Sequence, residues 1–303
     1  MSKVELKKSI NGILLLNKSQ GLTSNALLQR VKHLYRAKKA GHTGSLDPLA
    51  TGMLPICFGE ATKLSQYLLD ADKCYEAQGL LGITTNTADA MGEIINNTAS
   101  FNITQTELEN AFKHFKGKIK QIPSMFSALK HKGTPLYKYA REGITIEREA
   151  REITIHVLEL VGFDGKEFDI KVVCTKGTYI RNLIEDIGNH LGVGAHVTKL
   201  HRLYTAGFAN EPTYTLEALE NKTEQELLDC LLPIDRAINY LPSLTLLVDE
   251  ILALRQGKTL AKASIELEQD NLVRLYNEIG HFVGLGKLNE SKLSVQRLLA
   301  FEA

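Results

Sequence analysis

A glycine-rich loop near the amino terminus holds the residue best suited to chemistry. Residues 41–52 read Gly-His-Thr-Gly-Ser-Leu-Asp-Pro-Leu-Ala-Thr-Gly. The glycines permit tight turns and a close approach of the backbone to a ligand, and Pro48 keeps Asp47 extended and outside any helix. A carboxylate on such a loop is a candidate nucleophile or general base. The alternative is a simple turn residue before proline, and the loop alone does not decide between the two.

A second segment offers a partner for a carboxylate. Cys174-Thr-Lys-Gly-Thr-Tyr-Ile-Arg181 joins a predicted strand to a predicted helix and puts Arg181 in the first helical turn. Arg181 is either a surface residue or the group that holds a carboxylate ionised in a cleft. The roles of Tyr75 and Tyr179 are equally open, since tyrosines commonly pack at core edges.

Cofactor-binding patterns are incomplete in this sequence. The 41–52 loop lacks the Lys-Ser/Thr pair of a P-loop, and the glycines at 192 and 194 lack the rest of a dinucleotide-binding motif. The cysteines are far apart, which predicts reduced thiols and neither a zinc site nor a disulfide framework; they are Cys57, Cys74, Cys174 and Cys230. We therefore expect no cofactor and no metal.

The elements that must position these residues alternate without the regular spacing of a doubly wound fold. Strands are predicted at 13–16, 53–58, 75–83, 152–161, 167–174 and 196–208, and helices at 23–34, 61–69, 104–115, 135–141 and 178–191. This pattern favours an α+β fold with a mixed, mostly antiparallel sheet. Beyond about residue 242, short strand-like runs surround one helix near 249–256, which predicts a small β-rich carboxy-terminal module.

The formal net charge of +1 over 303 residues hides strong local runs. Residues 113–151 contain ten Lys or Arg against three Glu, and residues 211–235 contain seven acidic residues against Lys222 alone. A second basic run comprises Arg30, Lys32, His33, Arg36, Lys38 and Lys39. Charge runs are usually solvated faces, but two basic runs with interspersed rings favour a polyanion partner. Neither a membrane span nor a signal peptide is apparent, so we expect a cytoplasmic protein.

Five motifs in order, over roughly residues 12–208, resemble the bacterial tRNA pseudouridine-55 synthase family. The 41–52 loop is similar to the catalytic loop of that family along its whole length. The second motif spans 72–92: Asp72-Lys-Cys-Tyr75 resembles the family's strand with an active-site tyrosine, and Leu81-Gly-Ile-Thr-Thr-Asn-Thr-Ala-Asp-Ala-Met-Gly92 follows it as in the family. The other matching stretches are 123–143, 176–181 and Gly194-Ala-His-Val-Thr-Lys-Leu200.

The resemblance implies an isomerase that needs no cofactor. Uridine becomes pseudouridine when the N1–C1′ bond breaks, the uracil rotates and C5 joins the ribose. By family match the essential carboxylate is Asp47, its counter-charge in a bidentate pair is Arg181, and Tyr75 stacks on the uracil. Tyr75 is also a candidate for helping to remove the C5 proton, while Tyr179 and Leu200 line the pocket. Whether Asp47 attacks C1′ or removes a ribose proton to give a glycal stays open.

The resemblance also implies contacts with tRNA. A uracil stacked in a folded loop is unreachable, so the nucleotide must be flipped out, and His42 is expected to fill the vacated space. Lys18, Lys130 and Arg141 are further expected substrate-binding residues. The last two belong to a basic RNA-gripping insertion at about 113–151, which is expected to hold phosphates of the TΨC arm.

The expected organisation is a catalytic domain of the pseudouridine synthase type at 1–238 and a PUA-like RNA-binding module at 239–303. We expect a monomer with no obligate protein partner and no membrane association. Two other functions stay open: a tRNA-binding folding chaperone, and a synthase for a different RNA site. Retention of the matched carboxylate, tyrosine and arginine favours catalysis, and the 41–52 loop and the insertion favour the TΨC arm.

Three residues depart from the family pattern. Asn86 stands where Asp is usual, Ser124 where a second Pro is frequent, and His201 where Arg is frequent. We expect the change at His201 to weaken one phosphate contact. Because none of the three is the matched carboxylate or arginine, we expect activity to be retained.

Overall fold

The first strand shows how the fold is assembled. In this computed structural model, which describes residues 6–262 and 271–300, Gly12–Lys18 is a strand with both faces covered. Leu14 packs into the main core, whereas its neighbour Ile13 packs into a second core that it shares with Leu272 near the carboxy terminus. A strand covered on both faces has a continuous apolar run in its sequence. This explains the unbroken Ile-Leu-Leu-Leu at 13–16.

The strands of the described chain are, in order, β1 (Gly12–Lys18), β2 (Ala40–His42), β3 (Thr51–Phe58), β4 (Lys73–Leu81), β5 (Ile83–Thr85), β6 (Ile94–Asn97), β7 (Gly117–Gln121), β8 (Lys130–His131), β9 (Thr134–Pro135), β10 (Arg151–Phe163), β11 (Glu167–Cys174), β12 (Ala195–Thr205), β13 (Ser243–Leu246), β14 (Leu260–Ala261), β15 (Leu272–Asn277), β16 (Phe282–Asn289) and β17 (Lys292–Leu298). The helices are α1 (Ser24–Leu34), α2 (Ser65–Asp70), α3 (Gln105–Phe112), α4 (Leu136–Arg141), α5 (Ile180–His190), α6 (Leu216–Glu220), α7 (Glu224–Asp229) and α8 (Val248–Arg255). Three short 3₁₀ helices lie at Gly59–Lys63, Lys113–Phe115 and Ile234–Ile238.

The main sheet has the strand order β1-β3-β12-β4-β11-β10-β7, with β2 also paired to β3. Its neighbouring strands are antiparallel except for β3 and β12, which are parallel. The amphipathic helix α1 begins at the N-cap Thr23, which accepts a hydrogen bond from the Ala26 amide. The predicted α+β class with a mixed, mostly antiparallel sheet is confirmed.

The parallel junction between β3 and β12 is short. Its register has two residue pairs, His201 with Thr51 and Arg202 with Gly52. Gly52 has φ +99°, and a Cβ built there would lie 2.3 Å from the Arg202 carbonyl oxygen. Only glycine accepts this backbone conformation and this approach. Gly52 therefore ends the 41–52 loop at the point where the two parts of the sheet join.

The basic insertion is shorter than the predicted 113–151. β7 is an edge strand of the main sheet, with Gln121 opposite Arg151 on β10, so the chain leaves the sheet only at 122–150. This excursion carries the two-stranded β8–β9 pair and α4. The second basic run is also partly neutralised, since Arg36 and Lys8 both pair with Glu224 from the acidic 211–235 segment.

A second sheet forms the carboxy-terminal part, with the order β13-β15-β16-β17-β14 and a small core that includes Leu246, Leu254 and Val273. The strand-like runs predicted in this module, at 244–248, 272–276 and 282–285, correspond to β13, β15 and β16, and the predicted helix corresponds to α8, whereas β14 and β17 were not predicted. All four cysteines are free and buried. In the parts of the chain described above, no helix is long and apolar enough to cross a membrane.

Candidate active site

The middle of the 41–52 loop, β4, β12, the start of α5 and residues 127–129 of the excursion line one cavity. Its volume is about 440 Å³, which lies in the range of small-molecule sites. The predicted residues on its wall are Asp47, Tyr75, Tyr179, Arg181 and Leu200. Residues far apart in the sequence are therefore brought to one cavity by the antiparallel pairing of β4 and β12.

Lys18 fixes the loop that carries Asp47. The Lys18 side chain is fully buried, and its Nζ donates to the carbonyl oxygens of Ala50 at 2.6 Å and Pro48 at 3.4 Å. Burial lowers the pKa of Lys18 to about 8, against the opposing charge of Asp47. This position contradicts the predicted role of Lys18 as a substrate contact, because its donors are occupied by the loop backbone.

Arg181 links Asp47 to three other groups. Its Nε lies 2.9 Å from Oδ2 of Asp47, while Nη1 donates to the Thr87 carbonyl and Nη2 to the Phe126 carbonyl, each at 2.9 Å. Nη1 also lies 3.4 Å from Oδ2 of Asp89. The bidentate pair predicted for Asp47 and Arg181 is therefore wrong. The guanidinium is shared among four acceptors, with only Nε directed at Asp47.

Asp89 is a site residue that the sequence reasoning missed. It is 4% exposed, and its Oδ1 accepts hydrogen bonds from the Thr87 hydroxyl at 2.7 Å and the Met91 amide at 3.0 Å. Its other oxygen faces Arg181. Asp89 lies within the matched 81–92 motif, which was the available signal, but the turn between β5 and β6 brings it to Arg181.

The ionisation of Asp47 is finely balanced. Solvent reaches 40% of its side chain, yet protein surrounds the carboxyl group, and this burial raises the pKa of Asp47. Arg181 and Lys18 oppose the rise, whereas the negative charge of Asp89 adds to it. The carboxylate thus depends on nearby cations, because burial alone disfavours its charged form.

Two tyrosines border the carboxylate. Tyr75 lies on β4, and burial raises the pKa of its phenol while Arg202 opposes the rise. Tyr179 is the N-cap of α5, and its backbone is fixed by Gln121, whose side-chain amide donates to the Tyr179 carbonyl at 3.1 Å and accepts from its amide at 2.8 Å. Gln121 is a further positioning residue that the sequence reasoning missed.

The remaining predicted residues lie nearer the rim or outside. His42 is half-buried at the end of β2, and burial lowers its pKa. Leu200 is 8% exposed on the cavity wall. Lys130 and Arg141 are exposed on the insertion, with Arg141 stacked over the Tyr137 ring at 5.4 Å. The structure therefore brings neither of these two basic residues to the cavity wall.

The three departures from the family pattern each make a local hydrogen bond. Asn86 accepts from the Glu93 amide and Ser124 from the Phe126 amide, both at 3.0 Å. His201 Nδ1 lies 2.8 Å from the Thr51 hydroxyl.

No group of three or more His, Cys, Asp or Glu side chains suited to a metal occurs within 6–262 and 271–300.

Comparisons with known proteins identify the family of this chain. Three family models match consecutive parts of the chain: "TruB family pseudouridylate synthase (N terminal domain)" at 32–180, "tRNA pseudouridylate synthase B C-terminal domain" at 181–239, and "Pseudouridine synthase II TruB, C-terminal" at 242–299. The tRNA pseudouridine synthase B of Legionella pneumophila is 57% identical over 99% of each chain. That of Neisseria meningitidis serogroup A is 48% identical over 99% of this chain and 98% of its own.

A similarity to solved structures points the same way. A chain in the crystal structure of a Cbf5–Nop10–Gar1 complex superposes with a TM-score of 0.72 and 26% identity, covering 95% of this chain and 84% of that one. The family predicted from the five motifs is confirmed. With its matched loop, its Asp47–Arg181 pair and full-length relatives of high identity, this chain belongs to the TruB family of pseudouridylate synthases.

Proposed function

We propose that this chain is a tRNA pseudouridine synthase that isomerises uridine-55 in the TΨC loop. The observation that carries the proposal is the Asp47 carboxylate, which faces a cavity of about 440 Å³ and lies 2.9 Å from the buried Arg181. The named activity of relatives that are 57% and 48% identical supports the same substrate class.

The reaction rearranges one nucleotide and needs no net gain or loss of atoms. The N1–C1′ bond breaks, the uracil turns within the cavity, C5 bonds to C1′, and the C5 proton leaves while N1 gains one. Asp47 takes part as the ionised carboxylate, whether it attacks C1′ or removes a ribose proton. The proximity of Arg181 supports this charged form, and Tyr75 supplies a ring on which the uracil stacks.

The nucleotide must leave the stacked loop to reach Asp47. We propose that His42, at the end of β2, fills the space that it vacates. Tyr179 and Leu200 line the cavity around the flipped base. Lys130 and Arg141 hold phosphates of the TΨC arm from the 122–150 excursion, which is consistent with their exposed side chains.

We further propose two functional units, a catalytic domain at 1–238 and a PUA-like RNA-binding module at 239–303. The start of the second sheet at β13 supports this boundary, as does the family match that begins at 242. The protein is proposed to act as a monomer in the cytoplasm, where its tRNA substrate is made in bacteria.

The decisive experiment incubates purified protein with an unmodified tRNA transcript and no added cofactor, and then maps pseudouridine at each position. We expect modification at position 55 in wild type and none with Asp47→Asn, which preserves side-chain size and removes the charge. A transcript with cytidine at 55 is the matched substrate control. Modification confined to another position, or none by wild type, would overturn the proposal.

A further inference from the structure

A second buried arginine, Arg202, lies in the wall of the same cavity. Arg202 on β12 is 1% exposed, and its Cα pairs directly with that of Tyr75 on β4. Its Nε donates to the Met53 carbonyl oxygen at 2.6 Å, which anchors the guanidinium to β3. Residues directly opposite each other in an antiparallel pair have Cβ atoms close enough to interact. Arg202 is thus held beside Tyr75 by strand register.

The guanidinium of Arg202 is incompletely satisfied. Its Nη2 is buried and has no hydrogen-bond partner among the described residues. The Nη1 atom is 3.5 Å from the position that a Cβ on Gly44 of the catalytic loop would occupy. An unpaired buried donor lowers stability, so stability alone does not account for an arginine at this position.

The residue beside Arg202 is Tyr75, whose phenol hydroxyl is the group that Arg202 could position. Burial raises the pKa of its phenol, and Arg202 opposes this rise through its charge and through a side-chain contact. Because Nη2 of Arg202 has no hydrogen-bond partner among the described residues, this contact is not a formed hydrogen bond from that atom. Catalytic hydrogen bonds are often long without substrate and shorten when it binds. Since an arginine only donates, a shortened contact would make the Tyr75 oxygen the acceptor and leave its O–H hydrogen for another partner.

On the basis of the proposed function, we propose that Arg202 is a positioning residue for Tyr75. When a flipped nucleotide fills the cavity, Nη2 of Arg202 donates to the Tyr75 hydroxyl oxygen and thereby turns the O–H of Tyr75 toward the nucleotide. Arg202 acts through Tyr75, because its side chain is only 1% exposed although it belongs to the cavity wall. Tyr75 then contributes an oriented donor in addition to its stacking face.

A double-mutant cycle tests this coupling. The variants are Arg202→Gln, Tyr75→Phe and the double variant, and the readout is single-turnover pseudouridine formation at saturating tRNA. We expect Arg202→Gln alone to slow this step about tenfold or more and to change the tRNA Kd less than about twofold. In the Tyr75→Phe background the same substitution is expected to change the rate less than about twofold, because the hydroxyl that it positions is gone. Additive losses would overturn the proposal.

A second comparison keeps the test informative if Tyr75→Phe has no measurable rate. Arg202→Lys retains a donor-only side chain, whereas the Gln carbonyl can accept the Tyr75 hydrogen and turn it from the nucleotide. We expect Arg202→Lys to retain more activity than Arg202→Gln. Equal rates in the two variants would contradict the orienting role.

The matched control is Arg274→Lys in the second sheet. Arg274 also donates to a carbonyl through Nε, at 2.8 Å from Leu241, and to a tyrosine, at 2.9 Å from the Tyr276 hydroxyl. This variant is expected to leave the single-turnover rate unchanged. If wild type forms no pseudouridine, the proposed function fails; if wild type is active and the cycle is additive, only the role of Arg202 fails.

Discussion

Arg274 in the second sheet and Arg181 on α5 each lie beside a carboxylate, but the two pairs have different roles. Arg274 of the second sheet donates to the Tyr276 hydroxyl, which in turn donates to Asp235. These three residues stabilise the fold. Asp235 is 21% exposed, whereas Asp47, beside Arg181 on α5, is 40% exposed and faces a cavity. A buried arginine thus becomes part of a site when one of its acceptors is left open to a ligand.

Asp47→Asn is expected to cause the largest loss of activity, because it alters the carboxylate that faces the cavity. The substitution keeps the shape of the open acceptor and removes its charge, so pseudouridine formation should fall by at least about a thousandfold. The tRNA Kd should stay near that of wild type in a filter-binding assay. Turnover within a few hundred-fold of wild type would mean that another group performs the committed step.

Arg181→Lys is expected to cause the second-largest loss of activity. An ammonium cannot reach the four acceptors that the planar guanidinium holds, so we expect a loss of about a hundredfold in kcat. Because Arg181 lowers the pKa of Asp47 against burial, weakening that contact should raise the pKa further. The acid side of the pH–rate profile should therefore move to higher pH. An unshifted profile would indicate that Lys18 suffices as the counter-charge.

The insertion sharpens the comparison because it should affect binding alone. Replacing Lys130, Lys132 and Arg141 with Ala should reduce the log–log salt slope of tRNA binding by about 2 to 3. Turnover at saturating tRNA should change much less. The control is charge reversal at Glu217 and Glu220, exposed residues of the acidic segment. An unchanged slope in the triple variant would identify the insertion as a solvated face.

Asp89→Asn should have a smaller effect on rate but an informative pH dependence. The Asp89 charge raises the pKa of Asp47, so its removal should lower that pKa and move the acid side of the profile to lower pH. We expect kcat to fall about tenfold, because Arg181 loses one of its anchors. Opposite shifts for Asp89→Asn and Arg181→Lys would verify the network, whereas shifts of one sign would contradict it.

Arg274→Lys should have the smallest effect on function. Loss of its contacts in the second sheet should cost about 1 kcal/mol, and the Tm should fall by about 2–4 °C. Thermal melting monitored by circular dichroism provides the measurement. Pseudouridine formation below the melting range should equal that of wild type. A large loss of activity would mean that the second sheet also shapes the site.

The sequence was sufficient for the parts of the site that are local in the chain. On local sequence alone, Asp47 and Arg181 were candidates with open alternatives, and their expected roles came from the family resemblance, which rests on contiguous motifs. The fold class followed from the apolar patterns and from the hairpin between β10 and β11. Such signals depend on neighbouring residues and survive without knowledge of the fold.

The missed residues depend on contacts that only folding creates. Asp89 reaches Arg181 through the turn between β5 and β6, and Gln121 reaches Tyr179 from an edge strand. The predicted role of Lys18 was also wrong. A lysine close to a catalytic loop can donate to the backbone of that loop instead of to a substrate, and Lys18 does so. The sequence does not specify which carbonyl groups will surround an ammonium.

The short parallel junction at Gly52 has a mechanical consequence. The strands that flank the Asp47 loop and the strand that carries Tyr75 are joined within the sheet by two residue pairs between β3 and β12. A side chain at position 52 would collide with the backbone of Arg202 and push β3 and β12 apart. Gly52 is therefore required for the alignment of the Asp47 loop with the strands that form the rest of the cavity wall.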